Sequence, residues 1–235
     1  MRDPWARGTF SIVACDLDQG YWGVAVSTKP PSVGSIVPWA EWRVGAVATQ
    51  AWSNYWYGPN GLALLRRGLS AEDVVRRLTR ADAGRDVRQL GVVDRRGRGA
   101  AWTGRKCVAH ASHEIGEGFS CQGNMLASAT VVPAMARAFE ASRGTFAHRL
   151  LRALEAGARE GGDRRGMESA ALFVAHRERW MKAVWPDHWV NLRVDRHPDP
   201  VRELGRLVRT DERDTRATLA EVAKAARARR RRARP

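Results

Sequence analysis

Apolar residues recur along this chain at two spacings. Short β-prone runs at 10–14 and 22–26 flank Asp16-Leu17-Asp18-Gln19-Gly20, a turn-forming sequence, and 35–39 and 44–50 predict two further strands. The period then lengthens to that of a helix over 61–67 and 71–79, with Ser70 as N-cap and Glu72 and Asp73 in the first turn. Strand character returns at 89–93 and 100–103 around a turn at 94–99, and a stretch punctuated by glycines runs from His110 to Asn124. Helical spacing over 131–141 and 146–159 follows, the latter aligning Leu150, Leu151, Leu154 and Ala158 on one face. Strands are predicted at 170–174 and, after a Trp-rich region at 179–189, at 190–194. Pro198 and Pro200 mark a boundary, beyond which 201–208 and 218–231 are expected to be helical.

The order is strands, two helices, strands, two helices, strands. Single helices crossing between parallel strands would give a different alternation. Helix pairs between strand pairs suit an α+β fold: a four-layer αββα sandwich of two antiparallel sheets with helices outside. Strands buried on both faces explain why Gly23-Val24-Ala25-Val26 and 44–49 are almost wholly apolar.

Composition narrows the class. The chain has 235 residues, 44% of them hydrophobic, with ten tryptophans, which is enough for a substantial core. Residues 1–8 lack an apolar segment, and no run reaches membrane-spanning length, so a cytoplasmic protein without membrane attachment is expected. Cys15, Cys107 and Cys121 are odd in number and not in metal-ligand spacing, as expected of reduced thiols. Of the net charge of +15, residues 224–235 supply seven, leaving +8 on the rest. That tail predicts weak, salt-dependent contact with polyanions. Elsewhere arginines sit beside acids on helical faces, which argues against nucleic-acid binding as the main function.

Two clusters invite chemistry. His110, His113, Glu114 and Glu117 lack the zincin order, and Gly116 and Gly118 break any helix there, so no metal site is expected. Trp39, Trp42, Trp52, Tyr55, Trp56 and Tyr57 read as core with a wet edge, the alternative being a ligand cleft.

An ordered set of segments carries a resemblance. It comprises Thr9-Phe10-Ser11-Ile12-Val13-Ala14, Gly23-Val24-Ala25-Val26-Ser27-Thr28-Lys29, Val44-Gly45-Ala46-Val47-Ala48-Thr49-Gln50-Ala51 and Tyr57-Gly58-Pro59. It continues through Gln89-Leu90-Gly91-Val92-Val93-Asp94, Thr103-Gly104, Gly116-Glu117-Gly118, Cys121-Gln122-Gly123-Asn124, Gly162-Asp163-Arg164-Arg165-Gly166 and Ser169-Ala170-Ala171-Leu172, to Leu192-Arg193-Val194-Asp195 and His197. Over residues 9–208 the chain resembles the domain-of-unknown-function 1028 family, a branch assigned to the N-terminal-nucleophile hydrolases. The resemblance divides the chain into an extension at 1–8, a hydrolase-like domain at 9–208 and a helical Arg-rich extension at 209–235.

The resemblance implies hydrolysis of an amide-type bond by a Thr that begins the first strand, its own α-amine serving as base. Thr9 holds that position, the alternative being an ordinary strand threonine. The family places its Thr directly after the initiator Met, whereas eight residues precede Thr9 here. Either translation starts later than written, or the chain is cut between Gly8 and Thr9, a junction suited to self-cleavage. In the implied site Lys29 lowers the nucleophile's pKa, and Asp163 with Ser169 orients the amine. Gln122, Gly123 and Asn124 supply an oxyanion hole. The alternatives are a solvated Lys at a strand end, a turn carboxylate with a strand hydroxyl, and a capping Asn. The implied partners are a small-molecule or peptide amide substrate and further copies of the chain, with no cofactor. A non-catalytic scaffold with Thr9 blocked, or a polyanion-associated protein acting through the tail, are the competing readings.

Overall fold

The computed structural model describes residues 8–177 and 188–232. Two antiparallel sheets lie face to face with helices on both outer sides, giving four layers. The first sheet runs in the order β10 (His188–Val194), β9 (Ser169–Ala175), β2 (Tyr21–Thr28), β1 (Thr9–Asp16), β8 (Phe119–Asn124), β7 (Ser112–Gly116). The second runs β3 (Pro38–Glu41), β4 (Gly45–Ala51), β5 (Arg88–Asp94), β6 (Gly99–Thr103). Helices α3 (Val131–Ala141), α4 (Phe146–Arg159) and the first turns of α5 (Pro200–Arg232) cover the first sheet, and α1 (Tyr57–Arg66) and α2 (Ala71–Arg80) cover the second.

Strand alternation explains the layering. Phe10, Ile12 and Ala14 point outward into a core shared with Leu150, Leu154 and Leu204, while Val13, Val24, Val26, Ala46, Ala48 and Val93 fill the space between the sheets. Both faces of β1 are thus buried, which accounts for its unbroken apolar run. Val47, Leu90 and Val92 turn to the other side, against Leu62, Leu65 and Val74.

The space between the sheets is not uniform. Toward Asp16 and Tyr21 it is apolar; toward Thr9 it becomes polar, with Thr9, Ser11, Thr28, Gln50, Gln89, Gln122 and Asn124 all buried. Isolated polar groups there would cost free energy, and they are joined instead. Ser11 Oγ donates to Gln50 Oε1 (2.6 Å), Gln122 Nε2 to Ser11 Oγ (2.6 Å), Gln50 Nε2 to Gln89 Oε1 (2.7 Å) and Asn124 Nδ2 to Gln89 Oε1 (3.0 Å). Gly91, opposite on β5, leaves room for the Gln122 side chain to cross between the sheets.

Several elements differ from their sequence patterns. Residues 33–35 form a 3-10 turn and the strand expected at 35–39 begins at Pro38, where the chain can pair with β4. α1 begins at Tyr57, four residues before the pattern at Gly61. The stretch from His110 to Asn124 contains the β7–β8 hairpin, whose second strand pairs with β1. The two C-terminal helical segments are one continuous helix through residue 208. Of the Trp-rich region, residues 178–187 lie outside the described residues.

Candidate active site at the head of the central strand

Thr9 is the first residue of β1, which lies inside the first sheet between β2 and β8. Register places Thr28 opposite it on one side and Asn124 on the other. All three side chains therefore project into the space between the sheets, at its polar end. Thr9 is 3% exposed and contributes to a cavity of about 20 Å³, room for about one water, lined also by Thr28, Pro30, Val33, Val37, Ala51 and Ser53.

The bond before Thr9 is held on both sides. The Thr9 hydroxyl donates to Thr28 Oγ1 (3.2 Å), and the Thr28 hydroxyl donates in turn to the Gly8 carbonyl. Arg165 Nη2 donates to the same carbonyl (3.2 Å). Asp163 fixes the guanidinium by accepting from Arg165 Nε at Oδ1 (3.1 Å) and from Nη2 at Oδ2 (2.8 Å), with its side chain fully buried. Asp163 Oδ2 also accepts from the backbone N–H of Lys29 (3.0 Å), tying the end of β2 to the glycine-rich turn.

The remaining expected residues take supporting positions. Lys29 directs its ammonium at Glu168, holding that carboxyl below its ordinary range, so its contribution next to Thr9 is its backbone N–H. The Ser169 hydroxyl donates to the Pro30 carbonyl (2.6 Å) and accepts from the Val33 N–H (3.3 Å), fixing the loop that walls the cavity. Gln122 donates to Ser11 and accepts from the Ser120 hydroxyl (2.9 Å), so its side-chain amide is committed within the network. The Gly123 carbonyl accepts from Gln89 Nε2 (2.8 Å), and Asn124 remains beside Thr9 while bonded to Gln89. Gln50 Nε2 approaches the Thr9 carbonyl (3.4 Å).

Thr28, Arg165, Gln50 and Gln89 carry contacts that the sequence reading did not assign. All four lie inside the segments that carried the resemblance, and the two glutamines bear a signal of their own, a long amide at the end of an apolar strand. The cysteines are poor nucleophile candidates: burial pushes the thiols of Cys15 and Cys107 up to about 12 and about 11, and that of Cys121 well above its ordinary value. Among the aromatics, Tyr57 is buried, whereas Trp52, Tyr55 and Trp56 are exposed on the loop that follows Ala51. A larger hollow of about 280 Å³, between α4, α5 and β10, lies by Tyr21 at the opposite end of the β1–β2 pair and includes none of the expected site residues. Among the described residues no three His, Cys, Asp or Glu side chains come together to hold a metal ion, and no helix is long and apolar enough to cross a membrane.

Fold and site together define an α+β protein of two stacked antiparallel sheets with a buried threonine heading a central strand. The chain belongs to the Family of unknown function (DUF1028), whose model matches residues 9–204. It is similar to the crystal structure of protein SPO2555 from Silicibacter pomeroyi, a protein of the same family, at 36% identity and a TM-score of 0.77, covering 86% of this chain and 88% of that one. No curated protein matches the chain.

Proposed function

We propose that this protein hydrolyses an amide-type C–N bond with Thr9 as nucleophile, in the manner of the N-terminal-nucleophile hydrolases, once the Gly8–Thr9 bond has been opened. The observation that carries this reading is the setting of that bond: its carbonyl is bonded to the Thr28 hydroxyl and the Arg165 guanidinium, with the Thr9 hydroxyl alongside. Two donors on a carbonyl oxygen are what a tetrahedral oxyanion requires. As Thr9 Oγ1 adds to the Gly8 carbon, its proton can pass through Thr28, which already accepts from Thr9 and donates to Gly8. That proton is then delivered to the Thr9 nitrogen, which keeps the electron pair of the breaking C–N bond and becomes an amine, and Gly8 is left as an ester on Thr9, which water hydrolyses.

The freed α-amine supplies the base for turnover. Such an amine titrates near 7.7–8.0 and is usable at neutral pH. The Asp163 carboxylate borders the space that Gly8 leaves. The raised cysteine pKa values favour this reading over a thiol enzyme.

Substitution tests it. Thr9→Ala removes a hydroxyl and a methyl group; it is expected to leave the far-UV spectrum unchanged and abolish both cleavage before residue 9 and amide turnover. Thr9→Ser keeps a primary hydroxyl and is expected to retain part of each. Amide turnover by Thr9→Ala at the wild-type rate would refute the assignment.

A further inference from the structure

The surroundings of Gly8 say which acyl groups the site accepts, an inference that rests on Thr9 as nucleophile. In self-cleavage the Thr9 oxygen bonds to the Gly8 carbonyl carbon, the C–N bond breaks, and the departing nitrogen keeps the electron pair and gains a proton. The product is an ester of Gly8 on Thr9. When the same oxygen attacks a substrate amide, the substrate's amine leaves with the proton and its acyl group is left as the same kind of ester. Water then adds to the ester carbonyl, releasing the carboxylic acid and restoring the hydroxyl. The acyl group of a substrate therefore occupies the space that Gly8 fills in this structure.

That space is closed on the side where an L side chain would project. A Cβ on Gly8 would lie 2.7 Å from Asp163 Oδ1, 2.8 Å from Cγ and 2.9 Å from Oδ2. Asp163 cannot swing aside cheaply. It is 1% exposed, its carboxylate accepts from the N–H groups of Lys29 and Arg165 (both 3.0 Å) and from two guanidinium nitrogens, and its backbone bridges to Leu126.

We propose that this position is an acyl subsite for groups whose α carbon carries no substituent where the Cβ of an L residue would lie, such as glycyl and acetyl, and that Asp163 sets this limit. The acyl carbonyl lies between Thr28 Oγ1 and Arg165 Nη2, where the Gly8 carbonyl lies now.

The test uses a chain that starts Met-Thr9, from which the expression host removes the initiator Met so that Thr9 becomes the first residue. Release of 4-nitroaniline is measured from the acetyl, glycyl, L-alanyl and pivaloyl anilides. Acetyl and glycyl are expected to turn over at least about tenfold faster than L-alanyl and pivaloyl. Asp163→Ala is expected to narrow the ratio between glycyl and L-alanyl whatever it does to the absolute rate. Equal rates on glycyl and L-alanyl in the wild-type protein would overturn the acyl limit and leave Thr9 standing as nucleophile. Silence on all four, with Thr9 verified as the first residue, would overturn the nucleophile assignment and the acyl limit with it.

Discussion

The hydroxyl of Thr28 faces two ways, accepting from Thr9 and donating to the Gly8 carbonyl, and its position follows from register alone, since Thr9 and Thr28 are directly paired. Asp82 does comparable work for the cavity wall. It accepts from Asn54 Nδ2 (3.0 Å), Tyr57 Oη (2.9 Å), Arg88 Nε (3.0 Å) and the Gly84 N–H (2.7 Å), fixing the loop that carries Ala51 and Ser53 past Thr9. Burial pushes the Asp82 carboxyl up, but the bonds from Asn54, Arg88, Gly84 and Tyr57 outweigh it and hold it at about 2. A carboxyl titrates near 3.9 in the unfolded chain. The unfolded state therefore binds the proton first, and the stabilisation from Asp82 is full above about pH 4 and lost as pH falls through about 2. Asp82→Asn is expected to cost about 1–3 kcal/mol at pH 7 and to flatten the fall in stability between about pH 4 and 2, as read from urea midpoints. Parallel pH profiles for the two proteins would contradict this role.

At the scale of elements, amphipathic helices were the most legible part of the sequence. The bounds read for 131–141 and 146–159 coincide with α3 and α4, and Ser70 caps α2 by accepting from the Asp73 N–H (3.1 Å). Strand β8 was hidden for a physical reason. Its inward positions are Ser120, Gln122 and Asn124, which face the polar end of the inter-sheet space, and glycines at 116, 118 and 123 punctuate the hairpin, so the stretch reads as a loop. Thr9 and Asp163 were legible through the resemblance. Thr28 and Arg165 were not assigned, because what they do depends on a backbone carbonyl 20 and 157 residues away in sequence, which only folding brings near. In the sequence Gln89 is one end of an ordinary strand pattern, yet its amide joins β5 to the carbonyls of Ser112 (3.0 Å) and Gly123 (2.8 Å) and to the Thr103 hydroxyl (2.9 Å).

For the whole molecule, the C-terminal helix decides where the folded body stops. Val201, Leu204 and Val208 enter the outer core, and the Thr145 hydroxyl donates to Glu212, so α5 is anchored beyond residue 208. Asp211, Glu212 and Thr215 also wall the 280 Å³ hollow. The stretch 224–235 carries seven positive charges and no acid. A chain ending at residue 223 is expected to melt within about 2 °C of the full length and to bind a polyanionic resin less tightly. A chain ending at residue 208 is expected to melt clearly lower. Equal losses of melting temperature from both truncations would show that the basic end packs on the body.

The central claim, that Thr9 acts through a free amine, concerns the chain end that the active protein presents. An amide nitrogen lacks the basicity to take the nucleophile's proton, so a chain that still carries Gly8 has no base at this position. The most direct measurement is the N-terminal sequence of the purified protein, read fraction by fraction alongside amide hydrolysis. Activity is predicted to follow the species that begins at Thr9 and to be missing from the species that begins at Met1. Full activity in a preparation that begins only at Met1 would contradict the account.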